Sequence, residues 1–240
     1  MNNNLNIKIF ADGADLDSIK KLSLDENIKG FTTNPSLMKS AGVTDYKKFC
    51  KEVLEITKEK PVSFEIFSDD LEDMYEQAVE IASWGKSIFV KIPITNSKGQ
   101  KTTNLVKRLL DKNVKCNVTA VFTLNQVKEV FKITNLSTEL IISIFAGRIA
   151  DTGVNPLDVM SKAIEICKNK KNIKILWAST RELLNIFQAN EIDCHIITVP
   201  NDILKKMSFI GKNLDDLSLD TVKTFLNDAN KAGFKIEVKK

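Results

Sequence analysis

The residue that promises the most chemistry is Lys91, set in SIFVKIPIT with apolar neighbours on both sides. An ammonium group enclosed in such a strand loses hydration, so its pKa is expected to fall. A neutral amine attacks a carbonyl and condenses with it to a Schiff base. The competing reading is structural: a lysine that snorkels from its strand end or pairs with a carboxylate. Two acids invite either role. Asp12 closes the first strand-like run, and Glu65 lies in SFEIF between Phe64 and Ile66, where an exposed carboxylate is not expected. Two carboxylates near one lysine divide general-acid and general-base work, or serve as its counter-ions. Asp12 also precedes a helix, so helix capping is a further alternative. Arg148 in GRI and Arg181 in ASTR carry forks that match a phosphate, although an isolated surface arginine more often makes a salt bridge.

These residues need elements to bring them together. Short β-type runs are expected at Asn6–Ala11, Lys29–Thr32, Val62–Phe67, Ile88–Ile92, Lys115–Val118, Leu140–Phe145, Ile173–Trp177 and Cys194–Thr198. Helical runs alternate with them. Leu71–Trp84 carries Met74, Ala78, Ile81 and Ala82 at helical spacing, and Pro156–Lys168 opens on a proline suited to a first turn. Several strands are apolar almost throughout, as expected where both faces are buried. A dinucleotide-binding sheet should carry GxGxxG after its first strand, whereas here that turn reads ADGAD. The expectation is α/β: residues 1–240 as a single (β/α)8 TIM-barrel domain with an additional C-terminal helix, about Leu219–Ala232, ended by Gly233. The apolar face of that helix covers either its own barrel or a neighbouring subunit.

A barrel performs its chemistry at the carboxyl ends of its strands. Read in order, those ends offer Asp12, then Thr32, Thr33 and Asn34, Glu65, Lys91, Asn117 with Thr119, Ser143 with Arg148, Ser179 with Arg181, and Thr198. The loops after late strands are common phosphate sites, which favours the phosphate reading of the two arginines. His195, the only histidine, falls in the expected eighth strand without a partner motif and reads as structural or surface. Trp177 and Phe187 read as core.

Bulk properties set limits. The chain has 240 residues, 43% hydrophobic and 28% charged, with 35 basic against 31 acidic side chains, a formal charge of +4. That charge is too mild and too dispersed for nucleic-acid binding. No apolar run reaches the roughly 18–20 residues of a membrane span, and the start shows no basic-then-apolar leader, so a cytoplasmic protein without a membrane partner is expected. Cys50, Cys116, Cys167 and Cys194 form no CxxC pair, which argues for buried reduced thiols and against a zinc site.

FADGAD, GFTTNPSLM, SFEIF, FVKIPIT, NVTAVFT, SIFAGRIAD and WASTR, in this order, resemble the transaldolase family, in particular the small-subunit branch that includes fructose-6-phosphate aldolases. The resemblance runs from about Asn6 to the closing helix. It implies that Lys91 is the Schiff-base lysine, that Asp12 is the acid/base at the C4 hydroxyl, and that Glu65 and Thr119 hold a proton-shuttling water. It implies further that Asn34, Asn117 and Ser143, with Thr32 nearby, hold the dihydroxyacetone unit, and that Arg148, Ser179 and Arg181 hold the phosphate. No metal or organic cofactor belongs to this chemistry.

The implied activity is that of a transferase of the pentose phosphate pathway. Sedoheptulose 7-phosphate and glyceraldehyde 3-phosphate would give erythrose 4-phosphate and fructose 6-phosphate. The implied partners are sugar phosphates and further copies of the chain in a homo-oligomer, a ring-based decamer. Aldolase members resemble this pattern with glutamine at the position of Glu65 and tyrosine at that of Phe145, so both residues here match the transferase side. Gly13 and the polar NSKGQ after Thr95 depart from the pattern and bear on substrate preference. The alternatives are an aldolase that releases free dihydroxyacetone and a non-catalytic barrel that binds a sugar phosphate.

Overall fold

A computed structural model describes residues 5–238. Eight parallel strands close into a barrel in chain order: β1 Lys8–Asp12, β2 Ile28–Thr32, β3 Val62–Glu65, β4 Ile88–Pro93, β5 Cys116–Val121, β6 Leu140–Ile144, β7 Ile173–Trp177 and β8 Ile196–Pro200. Closure removes the unpaired sheet edges, with β8 pairing to β1 through Lys8–Ile196 and Asp12–Pro200. This is the expected (β/α)8 TIM barrel.

The strand boundaries differ from the apolar runs. β1 begins two residues later than expected and ends on Asp12, and β8 begins at Ile196, which leaves Cys194 and His195 outside it. β3 stops at Glu65, and Phe67 beyond it is 52% exposed. In each case apolar character runs past the hydrogen-bonded ladder into a flanking turn.

Polar caps start many of the helices. Asp15, Asn34, Asp45, Asp70 and Asn155 each accept backbone N–H donors from the first turn of the helix that follows. The expected helices appear at Leu71–Ser83 and Pro156–Cys167, with Met74, Ala78 and Ile81 buried in the first and Met160, Ala163 and Cys167 in the second.

Inside the barrel, Phe10, Phe89, Ile141, Leu176, Ala178 and Ile196 form an apolar cluster against which Phe145 packs. Gly30 makes room for it, because a Cβ there would stand 2.6 Å from the Phe10 ring. This layer is the platform on which the polar strand ends stand. All four cysteines are free and buried, and burial pushes the Cys50 and Cys194 thiols up to about 12.

The chain divides into two compact units, with the barrel unit ending at Lys205 and the second beginning at Lys206. The second contains a helix at Leu214–Ala232, one turn longer at its start than expected. Asn213 caps it through bonds from Asp215 N and Asp216 N, and Gly233 ends it at φ 70°. No helix among the described residues is long and apolar enough to cross a membrane.

Candidate active site

Lys91 sits on β4 opposite Glu65 of β3 and Asn117 of β5. Only 7% of it is exposed. Its Nζ lies 2.9 Å from Glu65 Oε1 and donates a hydrogen bond of 2.8 Å to the Thr33 carbonyl. The side chain therefore does not snorkel outward. The ion-pair alternative is realised, with its carboxylate inside the barrel at the same strand ends.

The Asp12 ambiguity resolves in the next turn. Asp15 caps the Leu16–Ser23 helix, accepting from Ser18 N at 2.8 Å, and Asp12 is left free of that duty. Asp12 Oδ1 instead accepts from Thr32 Oγ1 at 2.7 Å. Burial pushes the Asp12 carboxyl above the ordinary aspartate range, against the opposing pull of Lys91 and the Thr32 hydrogen bond. Burial likewise raises Glu65. Lys91 opposes that rise, and the negative charge of Asp12 adds to it. Glu65 Oε2 and Thr119 Oγ1 are both buried without a hydrogen-bond partner in the described chain. Buried polar atoms are rarely left so, and each of these two retains the capacity for a further hydrogen bond at the strand ends.

The remaining polar ends form short chains of bonds. Ser143 Oγ donates to Asn117 Oδ1 at 2.7 Å, and Asn117 Nδ2 donates to Ser63 Oγ at 2.9 Å, so Asn117 is fixed from both sides. The Thr32 and Thr198 hydroxyls also share a hydrogen bond, and the Thr198 carbonyl accepts from Thr180 Oγ1 at 2.7 Å. Asn34 spends its carbonyl oxygen capping the Pro35–Ser40 helix through Leu37 N. Sequence reasoning missed Ser63 and the Thr33 carbonyl. For Ser63 a signal existed: it stands two residues before Glu65, hence on the same strand face. The carbonyl left none.

The loops after β6 and β7 meet closely. A Cβ on Gly147 would fall 1.7 Å from the Ser179 carbonyl oxygen, so only glycine permits the approach. Ser179 itself takes φ 63°, the left-handed region. Arg148 is exposed, its guanidinium 5.3 Å from the centre of the Phe145 ring. Arg181 is exposed too, and its fork is engaged with both oxygens of Asp151. The two arginines thus lie after adjacent strands, and one is held by a surface carboxylate. His195 accepts from Ile175 N through Nδ1 at 3.2 Å, a structural bond before β8 begins.

Fold and site together define a class: a parallel (β/α)8 barrel with a buried lysine and two acids of raised pKa at the carboxyl ends of its strands. Residues 9–237 match the family model described as transaldolase/fructose-6-phosphate aldolase, and the chain belongs to that family. It is thereby an enzyme of aldolase/transaldolase type. A probable transaldolase of Thermoanaerobacter sp. (strain X514) is 33% identical over 231 residues, covering 96% of this chain and all of the relative. A probable transaldolase of Methanococcus maripaludis (strain C6) is 31% identical over 215 residues, 89% of this chain and 94% of the other. Among solved structures, thiamine phosphate pyrophosphorylase from Pyrococcus furiosus superposes with a TM-score of 0.55 at 12% identity, covering 82% of this chain and 86% of that one. At that identity the likeness concerns the barrel alone.

Proposed function

We propose that the chain is a transaldolase, which carries a dihydroxyacetone unit from a ketose phosphate to an aldose phosphate as an imine on Lys91. The observation that carries this reading is the Lys91 amine, buried at the strand ends, 2.9 Å from Glu65 and under the influence of Asp12. Passing a proton from Nζ to the Glu65 carboxylate frees the nitrogen lone pair, and the raised pKa of Glu65 favours that transfer.

The amine then adds to the C2 carbonyl of fructose 6-phosphate or sedoheptulose 7-phosphate. Loss of water gives the iminium. A water held between Glu65 Oε2 and Thr119 Oγ1 would satisfy both orphaned atoms and carry these protons. Asp12 takes the proton of the C4 hydroxyl, and burial makes it a stronger base than a solvated aspartate. The C3–C4 bond breaks, its electrons pass into the iminium, and glyceraldehyde 3-phosphate or erythrose 4-phosphate departs. Asn117, fixed by Ser63 and Ser143, is suited to hold the hydroxyls of the retained unit. Addition to a second aldose phosphate and hydrolysis complete a ping-pong cycle. Arg148, Ser179 and Arg181 are the proposed phosphate contacts, with Asn34 and Thr32 beside the dihydroxyacetone unit.

Transfer is favoured over release by Phe145, which packs its ring on the apolar cluster and brings no hydroxyl near the imine. Borohydride reduction in the presence of fructose 6-phosphate should leave a dihydroxyacetone-sized mass adduct on Lys91. Absence of the adduct would support a barrel that only binds sugar phosphates. Consumption of fructose 6-phosphate should require erythrose 4-phosphate, and equal cleavage without the acceptor would make the enzyme an aldolase.

A further inference from the structure

A cavity opens at the other end of the barrel. Its volume is about 680 Å³, within the range of small-molecule sites. Strand alternation explains its lining. Phe10, Asn117 and Leu176 face the barrel interior, so Lys8, Lys115 and Lys174, each two residues earlier, stand on the same faces at the amino-terminal opening. Lys29, Lys58 and Lys86 complete the rim, and the floor is apolar, made by Phe10, Phe89, Ile141 and Ile196.

The charge of this rim is unbalanced. Six lysines face two glutamates, Glu59 and Glu139, a surplus of four. The whole chain carries a formal surplus of the same size, 35 basic over 31 acidic, so the remainder of the molecule is balanced. Glu139 pairs with Lys115 at 2.7 Å, and none of the other five lysines has a carboxylate within ion-pair distance among the described residues. The resulting positive field reaches His195, whose pKa is lowered by burial and then by Lys174 and Lys8. Cations gathered without partners repel one another, and a bound polyanion relieves that repulsion. The rim holds no arginine fork, only ammonium groups, which act as point charges suited to phosphate oxygens approaching from several directions.

We propose that the amino-terminal mouth of the barrel binds an organic polyphosphate, a ligand with an apolar body set on the Phe10–Phe89 floor and two or more phosphates against the lysine rim. This site is separate from Lys91 and does not depend on the reaction assigned to it. Calorimetric titration with ATP, and with inorganic tripolyphosphate as the body-less probe, tests it. ATP should bind the wild-type chain more tightly than tripolyphosphate, and its affinity should fall with added salt. Lys8→Gln/Lys174→Gln should weaken ATP by about tenfold or more, whereas Arg148→Gln at the opposite end should leave it unchanged. Should the first pair fail to fold, Lys29→Gln/Lys86→Gln, both at exposed positions, makes the same test. No binding of ATP up to about 1 mM overturns the proposal, as does binding that survives loss of the lysines or disappears in Arg148→Gln. Tripolyphosphate binding as tightly as ATP overturns the apolar half of it.

Discussion

Burial sets the behaviour of Asp12 and Glu65, and it does so at a cost to the fold. A carboxyl whose pKa is higher in the folded chain holds its proton more tightly there than in the unfolded chain. Its contribution favours folding at low pH and is lost as pH rises from the ordinary values, 3.8 for Asp12 and 4.5 for Glu65, toward the raised ones. Lys91 restrains both shifts. Lys91→Met should therefore match the wild-type melting temperature near pH 4 and fall below it by about pH 7.5. The loss approaches the roughly 3–5 kcal/mol of a broken buried pair wherever the carboxylate stays charged. Equal melting at both pH values would mean that the lysine does not hold the acids. Asp12→Asn separates the two halves of the proposed reaction. Turnover should drop about 10²–10⁴-fold, while borohydride still traps substrate on Lys91, because imine formation needs Glu65 and not Asp12. Loss of trapping together with turnover would move Asp12 into the first half.

At the scale of elements, the loops after β6 and β7 are the ones that would meet the phosphate in the proposed reaction. Arg181 is paired with Asp151, so under the proposed phosphate role it would exchange that partner for substrate, and an exposed pair of this kind is worth only about 0–1 kcal/mol. Asp151→Asn should lower KM for a phosphorylated ketose by up to about fivefold with kcat unchanged. An unchanged KM would leave Arg181 outside the site. Gly147→Ala should cost about 3 kcal/mol, since its Cβ meets backbone rather than a flexible side chain, and chemical denaturation measures it.

The sequence made the elements legible because eight apolar runs alternated with helical stripes. Glu65 and Lys91 stood out because charge in an apolar run is costly. The choice between Asp12 and Asp15 was not legible: two aspartates three apart in ADGAD read alike, and only the folded turn shows which one caps. Asn34 and Arg181 show the same limit. Their types suit a ligand, but the capping bond and the Asp151 contact arise from backbone geometry that spacing does not encode.

The whole molecule ends in a unit that cannot be understood as a finished surface. In the Leu214–Ala232 helix no residue is buried, and Val222, Phe225 and Leu226 are 59%, 69% and 63% exposed. Leu219 shares that face, and Phe234, Ile236 and Val238 extend the exposed apolar stretch beyond Gly233. Exposed apolar area of this kind marks an interaction surface, and its burial at about 25 cal/mol per Å² favours association. The helix is well capped at both ends and follows the charge preference of its dipole, with Asp215 and Asp216 in the first turn and Lys231 in the last. A formed helix with an uncovered stripe is suited to another copy of the same chain. The expected outcome is a homo-oligomer in solution whose mass by light scattering is a multiple of 26.9 kDa, and a ring-based decamer meets that expectation. Val222→Asp/Phe225→Asp should shift the mass toward one subunit. Both positions are exposed, so the barrel's circular dichroism and its trapping on Lys91 should persist. A wild-type monomer, or an oligomer indifferent to both charges, would show that this stripe has a different role.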